Sequence, residues 1–208
     1  MNVLVTAGPT REHLDEVWFL SNPSSGRMGY AIAQAFARAG HQVTLISGPT
    51  GLEAPHGVAV VRVTSADEMH RAVTQHLATA EVVMMAAAPV DYRPAERQLG
   101  KMKKTGEEML VKFVRNPDIL REIGQSKGGR ILVGFALEAA DVRSNALKKL
   151  REKNLDLIVA NSPASFAGER TSVEVLGRDG VVEVMNDVSK EQLAERLLGL
   201  VETVARSR

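Results

Sequence analysis

The 208-residue chain has no cysteine. That absence excludes disulfides, thiolate metal sites and a cysteine nucleophile. Charge of one sign is also missing: 26 Lys and Arg stand against 25 Asp and Glu, a net charge of +1. No field of one sign argues for binding to duplex nucleic acid or to an anionic membrane. No apolar run approaches the roughly 18 to 20 residues of a membrane span. The opening Met-Asn-Val-Leu-Val-Thr carries no basic leader before its short apolar run, so a cytoplasmic protein is expected. The five histidines, His13, His41, His56, His70 and His76, show no metal-ligand spacing. Aromatic residues make up only 4% of the chain, with one tryptophan. The scarce rings Phe135 and Phe166 therefore read as core before they read as base-stacking platforms, and Trp18 reads as packing.

What remains is an ordinary globular composition, 44% hydrophobic and 25% charged. A chain of this length buries roughly 70% of its unfolded surface and needs no covalent staples. One domain over residues 1–208 is expected.

Short apolar runs alternate with helical periods. Strands are expected at 3–6, 42–47, 58–63, 81–85, 131–135 and 155–160, with a further strand at 109–114. Helices are expected at 29–39, with Tyr30, Ile32, Ala33 and Phe36 inward and Gly40 as the stop, and at 141–153. Ser65-Ala-Asp-Glu68 opens a helix to about Thr79 as a capping box, and Ser189 with Gln192 caps a terminal helix to about Ala205. Asn116-Pro-Asp reads as a short helix start with asparagine at the cap. Residues 172–176 and 181–184 flank Gly177-Arg-Asp-Gly180 as a hairpin. Buried strands separated by amphipathic helices mean a doubly wound, mostly parallel α/β sheet of Rossmann-like kind, with helices on both faces. Ligands in such sheets sit at the carboxyl ends of the strands, near the switch in strand order. Residues 93–108, polar and without apolar period, break the rhythm just after a strand end and read as a mobile flap over the site.

Three constellations lie at those strand ends. After the first strand comes Ala7-Gly-Pro-Thr-Arg-Glu-His, and later Ser21-Asn-Pro-Ser-Ser-Gly-Arg-Met-Gly29 runs into a helix. Free N–H groups at the helix start, the hydroxyls of Ser24 and Ser25, and Arg27 fit a phosphate cradle; the alternative is a Ser/Gly cap on an ordinary helix. After the fourth strand, Ala86-Ala-Ala-Pro-Val-Asp91 lets a flat ligand approach the backbone. Asp91 could bind a sugar hydroxyl or a metal ion, or simply cap a tight turn. Lys101, Lys103 and Lys104 put three ammonium groups on the flap, as a functional cluster or as solvated surface. His13 and Arg11 are ligands or ordinary loop residues.

Together these stretches resemble the CTP-using phosphopantothenate–cysteine ligase domain of bacterial coenzyme A synthesis. The resemblance rests on Thr6-Ala-Gly-Pro-Thr-Arg-Glu, 21–29, Asp91-Tyr-Arg-Pro94, Lys101-Met-Lys-Lys104, Asn116-Pro-Asp118, Gly134-Phe-Ala136 and Lys153-Asn-Leu-Asp-Leu-Ile-Val-Ala-Asn161, and covers nearly the whole chain. It implies that CTP activates the carboxylate of 4′-phosphopantothenate as an acyl-cytidylate, which the amine of L-cysteine then captures. Asn22 matches the asparagine that contacts the intermediate's carbonyl, and Lys101 the flap lysine that closes over the site. Ser24, Ser25 and Gly26 match the phosphate loop. Gly8, Arg27, Met28, Ala87, Ala88, Asp91, Lys103, Lys104 and Phe135 line the implied nucleotide and substrate site. Mg²⁺ would enter with CTP, Asp91 being the one candidate ligand, and no flavin is implied for this chain. A homodimer with contacts near the active site is implied, with neither nucleic acid nor membrane as partner.

Two departures stand out. Trp18 occupies the place where the family usually has an arginine, and Pro89 stands where a small or branched apolar residue is usual. An NAD(P)-dependent Rossmann oxidoreductase is the competing reading. It lacks its G-x-G-x-x-G, and Ser47-Gly48 rather than an acidic residue follow the second strand. A nucleotide-binding module without chemistry is the third.

Overall fold

The structure is a computed structural model and describes residues 1–103, 106–161, 168 and 170–208. Lys104 and Phe166 lie outside the described residues. Strand β1 (Asn2–Ala7) sits near the middle of the main sheet, and its alternation decides the layers. Val3, Val5 and Ala7 point into one core with α1 (Arg27–Arg38) and α5 (Lys190–Arg206). Leu4 points into the other, with α2 (Ala66–Leu77), α3 (Ile119–Gln125) and α4 (Val142–Glu152). A period of two in the strands and of 3.6 in the helices thus builds an α/β/α sandwich.

The remaining sheet strands are β4 (Gln42–Ser47), β5 (Val58–Arg62), β6 (Val82–Met85), β9 (Ile131–Leu137), β10 (Leu157–Asn161), β11 (Arg170–Gly177) and β12 (Gly180–Ser189). Their order is β12-β11-β10-β9-β6-β1-β4-β5. The strands from β10 to β5 in that order run parallel, and the β11–β12 hairpin is added antiparallel at one edge. From β1 the chain moves outward to β4 and β5, then returns to place β6 on the opposite side of β1. The switch in strand order therefore falls between β1 and β6, and ligands of such sheets bind beyond the carboxyl ends of the strands at that point. The expected doubly wound sheet is the observed one.

Both serine caps form. Ser189 and Gln192 make the reciprocal box. Ser65 Oγ accepts from Glu68 N–H at 3.2 Å, while the returning Glu68 carboxylate takes Thr64 N–H at 2.7 Å instead of the cap's own.

Two expectations are corrected. The strand expected at 109–114 is only β8 (Phe113–Arg115), paired antiparallel with β7 (Tyr92–Pro94). One further rung joins Ala95 N–H to Lys112 O at 2.8 Å. β7 ends at Pro94, so Met109–Val111 find no ladder to join and Leu110 stays 97% exposed. Asn116 does not cap α3; the cap is Asp118, whose Oδ1 accepts Arg121 N–H at 3.1 Å. A second small ribbon, β2 (Glu12–His13) with β3 (Phe19–Leu20), lies beside β7 and was not expected. Among the described residues no helix is long and apolar enough to cross a membrane.

Candidate active site

Beyond β1 and β6 the chain continues as two straps laid side by side. Thr6 Oγ1 accepts Ala87 N–H at 3.1 Å, Gly8 O accepts Ala88 N–H at 2.9 Å, and Thr10 Oγ1 accepts Val90 N–H at 3.0 Å. Thr6 and Thr10 are wholly buried, so these rungs are shielded from water. They extend the parallel pairing of Thr6 with Met85 past the end of the sheet.

Asn22 ties the segment before α1 to these straps. Its Nδ2 donates to Ala88 O at 2.8 Å and its Oδ1 accepts Ser24 N–H at 3.1 Å. Ser21 Oγ, next in the chain, donates to Thr10 O at 2.7 Å. A primary amide carries two N–H groups, so a second donor stands beside the one that serves Ala88 O.

The turn that follows leads into α1. Gly26 takes the left-handed conformation with φ of 78°, which a side chain resists. A Cβ there would stand 2.7 Å from Thr50 Cγ2 and 3.3 Å from Gly8 Cα, so glycine also lets this turn touch the strap that follows β1. The first turn of α1 has no side-chain cap and no acidic residue. Ser25 Oγ lies 3.5 Å from Arg27 N, at the limit of a hydrogen bond. Gly26 at the cap thus offers the first turn of this 12-residue helix no side-chain acceptor, a geometry that suits an anion at the helix start. Gly29 is tight for a different reason: a Cβ would sit 2.5 Å from Ala7 Cβ, so only glycine brings α1 this close to β1.

The other expected residues are placed as follows. Phe135 is half-buried on β9, one residue past the Met85–Gly134 pair, so it flanks Ala86 at the strand ends. Met28 is half-buried against the core. Arg27 lines a groove of about 1050 Å³ between α1 and α5, and its charge acts on Glu191 there. Asp91 is exposed and its carboxylate caps no turn among the described residues; its backbone carbonyl accepts Asn116 N–H at 2.8 Å. Lys101 and Lys103 are exposed on the flap. Trp18, read as packing, is instead 62% exposed. Arg11 is exposed with its guanidinium 4.7 Å over the Phe19 ring, and His13 is half-buried against the same ring. Among the described residues no three His, Asp or Glu side chains converge to hold a metal ion. A single exposed carboxylate such as Asp91 suits Mg²⁺ only when the ion arrives on substrate phosphates.

Three further side chains hold these segments together. Asn116 Nδ2 donates to Val90 O at 2.7 Å, while its Oδ1 accepts from Arg93, fastening the Ala-rich strap from the far side. Lys153 reaches Asp118 at 2.9 Å, joining two motifs 35 residues apart. Burial acts to raise the Asp118 pKa, but the Lys153 ammonium and Arg121 N–H outweigh it and hold the carboxyl below its usual value. Asp15 is wholly buried and accepts Val17 and Trp18 N–H groups at 2.6 Å each on Oδ1, and Met102 N–H at 2.8 Å on Oδ2. Those backbone donors, Trp18 first and Met102 next, hold its pKa below the usual carboxylate range. The i+2 and i+3 donors are an Asx turn that the sequence could have suggested; the Met102 bond spans 87 residues and could not be read there.

Residues 1–204 match the DNA/pantothenate metabolism flavoprotein C-terminal domain. This chain belongs to that family. The coenzyme A biosynthesis bifunctional protein CoaBC of Haemophilus influenzae is 42% identical over 184 residues, covering 86% of this chain and 46% of the relative. That of Bacillus subtilis is 41% identical over 202 residues, covering 95% and 50%. This member of the family thus spans about half the length of the curated relatives it matches. A crystal structure of the C-terminal domain of CoaBC superposes with a TM-score of 0.87 at 38% identity, covering 100% of this chain and 96% of that one.

Proposed function

We propose that this chain is a phosphopantothenate–cysteine ligase using CTP, acting in coenzyme A biosynthesis. The observation that carries the reading is the Asn22 bridge. One amide ties an uncapped helix start to the Ala-rich strap at the switch in strand order, and keeps a free N–H between them. The relatives' role in coenzyme A biosynthesis supports it.

In this reading CTP enters with Mg²⁺ as part of the substrate. Its phosphates meet the N–H groups at Gly26–Met28 and the hydroxyls of Ser24 and Ser25. Its nucleoside lies along Ala87, Ala88 and Phe135, with Asp91 at the ribose or the ion. A carboxylate oxygen of 4′-phosphopantothenate attacks the α-phosphorus, and the bond to the β-phosphate oxygen breaks to release pyrophosphate. The deprotonated amine of L-cysteine then attacks the acyl carbon, CMP leaves with the electrons of the C–O bond, and the attacking nitrogen sheds its extra proton to solvent as the amide forms. The spare Asn22 N–H meets the acyl oxygen as its charge grows, and the Lys101 ammonium offsets the crowded phosphate charge. Lys103 and Lys104 act as steering charges. No nucleophile from the protein is required, which agrees with a chain that has no cysteine.

We also propose a homodimer. Val17, Trp18, Phe19, Leu20, Tyr92 and Phe113 are exposed large apolar side chains on the two neighbouring ribbons and the turn between β2 and β3. A second copy would cover them.

The deciding experiment measures pyrophosphate release from CTP with 4′-phosphopantothenate, with and without cysteine. CTP-dependent release followed by cysteine-dependent CMP formation is expected, with CTP favoured over ATP because the wrong base leaves polar groups unpaired. Equal kcat/KM for CTP and ATP would remove the nucleotide assignment. No release with either would remove the ligase.

A further inference from the structure

Beyond the β7–β8 pairing that holds Arg93 to Ala95, the flap is fastened to the rest of the chain at two adjacent residues. Gln98 N–H donates to Leu14 O at 2.8 Å, and Met102 N–H donates to Asp15 Oδ2 at 2.8 Å. The other Asp15 oxygen is already occupied by the Val17 and Trp18 N–H groups. Asp15 therefore does two separable jobs with two oxygens. Oδ1 shapes the turn at 15–18, and Oδ2 holds the flap backbone one residue from Lys101. Met102 and Leu14 both line a cavity of about 570 Å³, so the same two chain segments also meet through side chains. The Lys101 charge acts on Asp15 as well.

We propose that Asp15 is a positioning residue that sets where the Lys101 ammonium stands. The inference rests on the proposed role of Lys101 in the ligase reaction. A buried carboxylate accepting three backbone N–H groups is a stiff support, because each bond is charge-assisted and shielded. Past Ala95 the flap has few apolar anchors to fix it: Leu99 is 98% exposed and Lys101 and Lys103 are exposed. Electrostatic stabilisation depends steeply on placement, so the anchor of Met102 governs how well Lys101 can act.

The chemistry of an amide supplies a selective test. In Asp15→Asn the carbonyl oxygen can still accept Val17 and Trp18 N–H groups, so the turn survives. The NH₂ group then faces Met102 N–H, donor against donor, and only the flap bond is lost. The experiment compares wild type, Asp15→Asn, Lys101→Gln and the double variant for kcat and KM at saturating CTP. Asp15→Asn is expected to lower kcat by about tenfold or more with KM for CTP nearly unchanged, and to cost little further in the Lys101→Gln background. Trypsin should cut after Lys101 and Lys103 faster in Asp15→Asn than in wild type, with or without substrates. Wild-type kcat in Asp15→Asn, or the same fold-loss in both backgrounds, would overturn the inference.

Hydrogen exchange in the wild-type chain gives a check that needs no variant. The Met102 amide should exchange more slowly than those of Lys101 and Lys103, and equal exchange would also overturn the inference. If Lys101→Gln itself is fully active, the proposed role of Lys101 fails, and the exchange and trypsin results still report on the anchor alone.

Discussion

Asn22 and Ala88 are 66 residues apart in sequence and joined by a 2.8 Å hydrogen bond from the amide Nδ2 to the backbone carbonyl. The bond fixes the gap between the loop at 21–29 and the Ala-rich strap. It also orients the amide, because Ser24 N–H claims the oxygen.

Asn22→Asp tests this arrangement. The carboxylate still accepts Ser24 N–H, but it has no donor for Ala88 O and turns negative charge toward a carbonyl and toward bound phosphates. One lost hydrogen bond of a half-buried group costs about 1 kcal/mol of stability, so the fold should persist. Loss of the donor to the reacting carbonyl should lower kcat by on the order of 10²-fold. Turnover and thermal midpoint measured together decide it; near-wild-type turnover in a folded protein would reject the role given to Asn22.

Gly26→Ala probes the turn itself. Alanine must hold φ of 78° and place its Cβ 2.7 Å from Thr50 Cγ2. The strain is roughly 1 to 3 kcal/mol, and the helix start would be pushed away from Gly8. A lower melting temperature together with a raised KM for CTP is expected. A lower melting temperature with unchanged KM would mean that the helix start does not meet the nucleotide.

Much of the fold was legible because local period and layer agree. β1, β4 and β6 are short apolar runs, and α1 shows one apolar stripe ended by Gly40. The loop at 21–29 was legible because its glycines and hydroxyls adjoin a helix start. The ribbons were not, since two or three residues are too few to show a period. Asn116 looked like a cap because asparagine caps helices. Its side chain instead serves Val90 O, 26 residues away, and no local pattern announces that. Trp18 was misread because an apolar residue type does not by itself distinguish a core position from an exposed one.

That exposed ring yields the next prediction. Trp18→Glu places a charge at the centre of the proposed dimer patch, where burying an unpaired carboxylate is costly. Sedimentation at micromolar protein should show a dimer for wild type and a monomer for the variant, with the fold retained because the site is 62% exposed. A monomeric wild type, or a variant that still sediments as a dimer, would discard the patch as the interface.

The Asp15 clamp predicts a pH dependence with a definite sign. Its carboxyl titrates below the usual value of 3.8, chiefly because the Trp18 and Met102 N–H groups stabilise the charged form. A depressed carboxylate contributes stability that is fully present above the unfolded value and is lost as pH falls through the lower folded value. The clamp should therefore be intact throughout neutral assay conditions and release only in acid, below about pH 4. Trp18 is the chain's single tryptophan, and its backbone N–H is bonded to Asp15, so its fluorescence reports the release. Emission should stay flat from neutral pH down to about pH 4 and then shift, well before far-ultraviolet circular dichroism shows loss of the sheet. Asp15→Asn has no charge to lose and should show no such separate step. An identical acid step in that variant would assign the change to other carboxylates. A step near neutral pH that vanishes in the variant would mean that Asp15 binds its proton more readily in the folded chain than in the unfolded one, the opposite of what three backbone donors enforce.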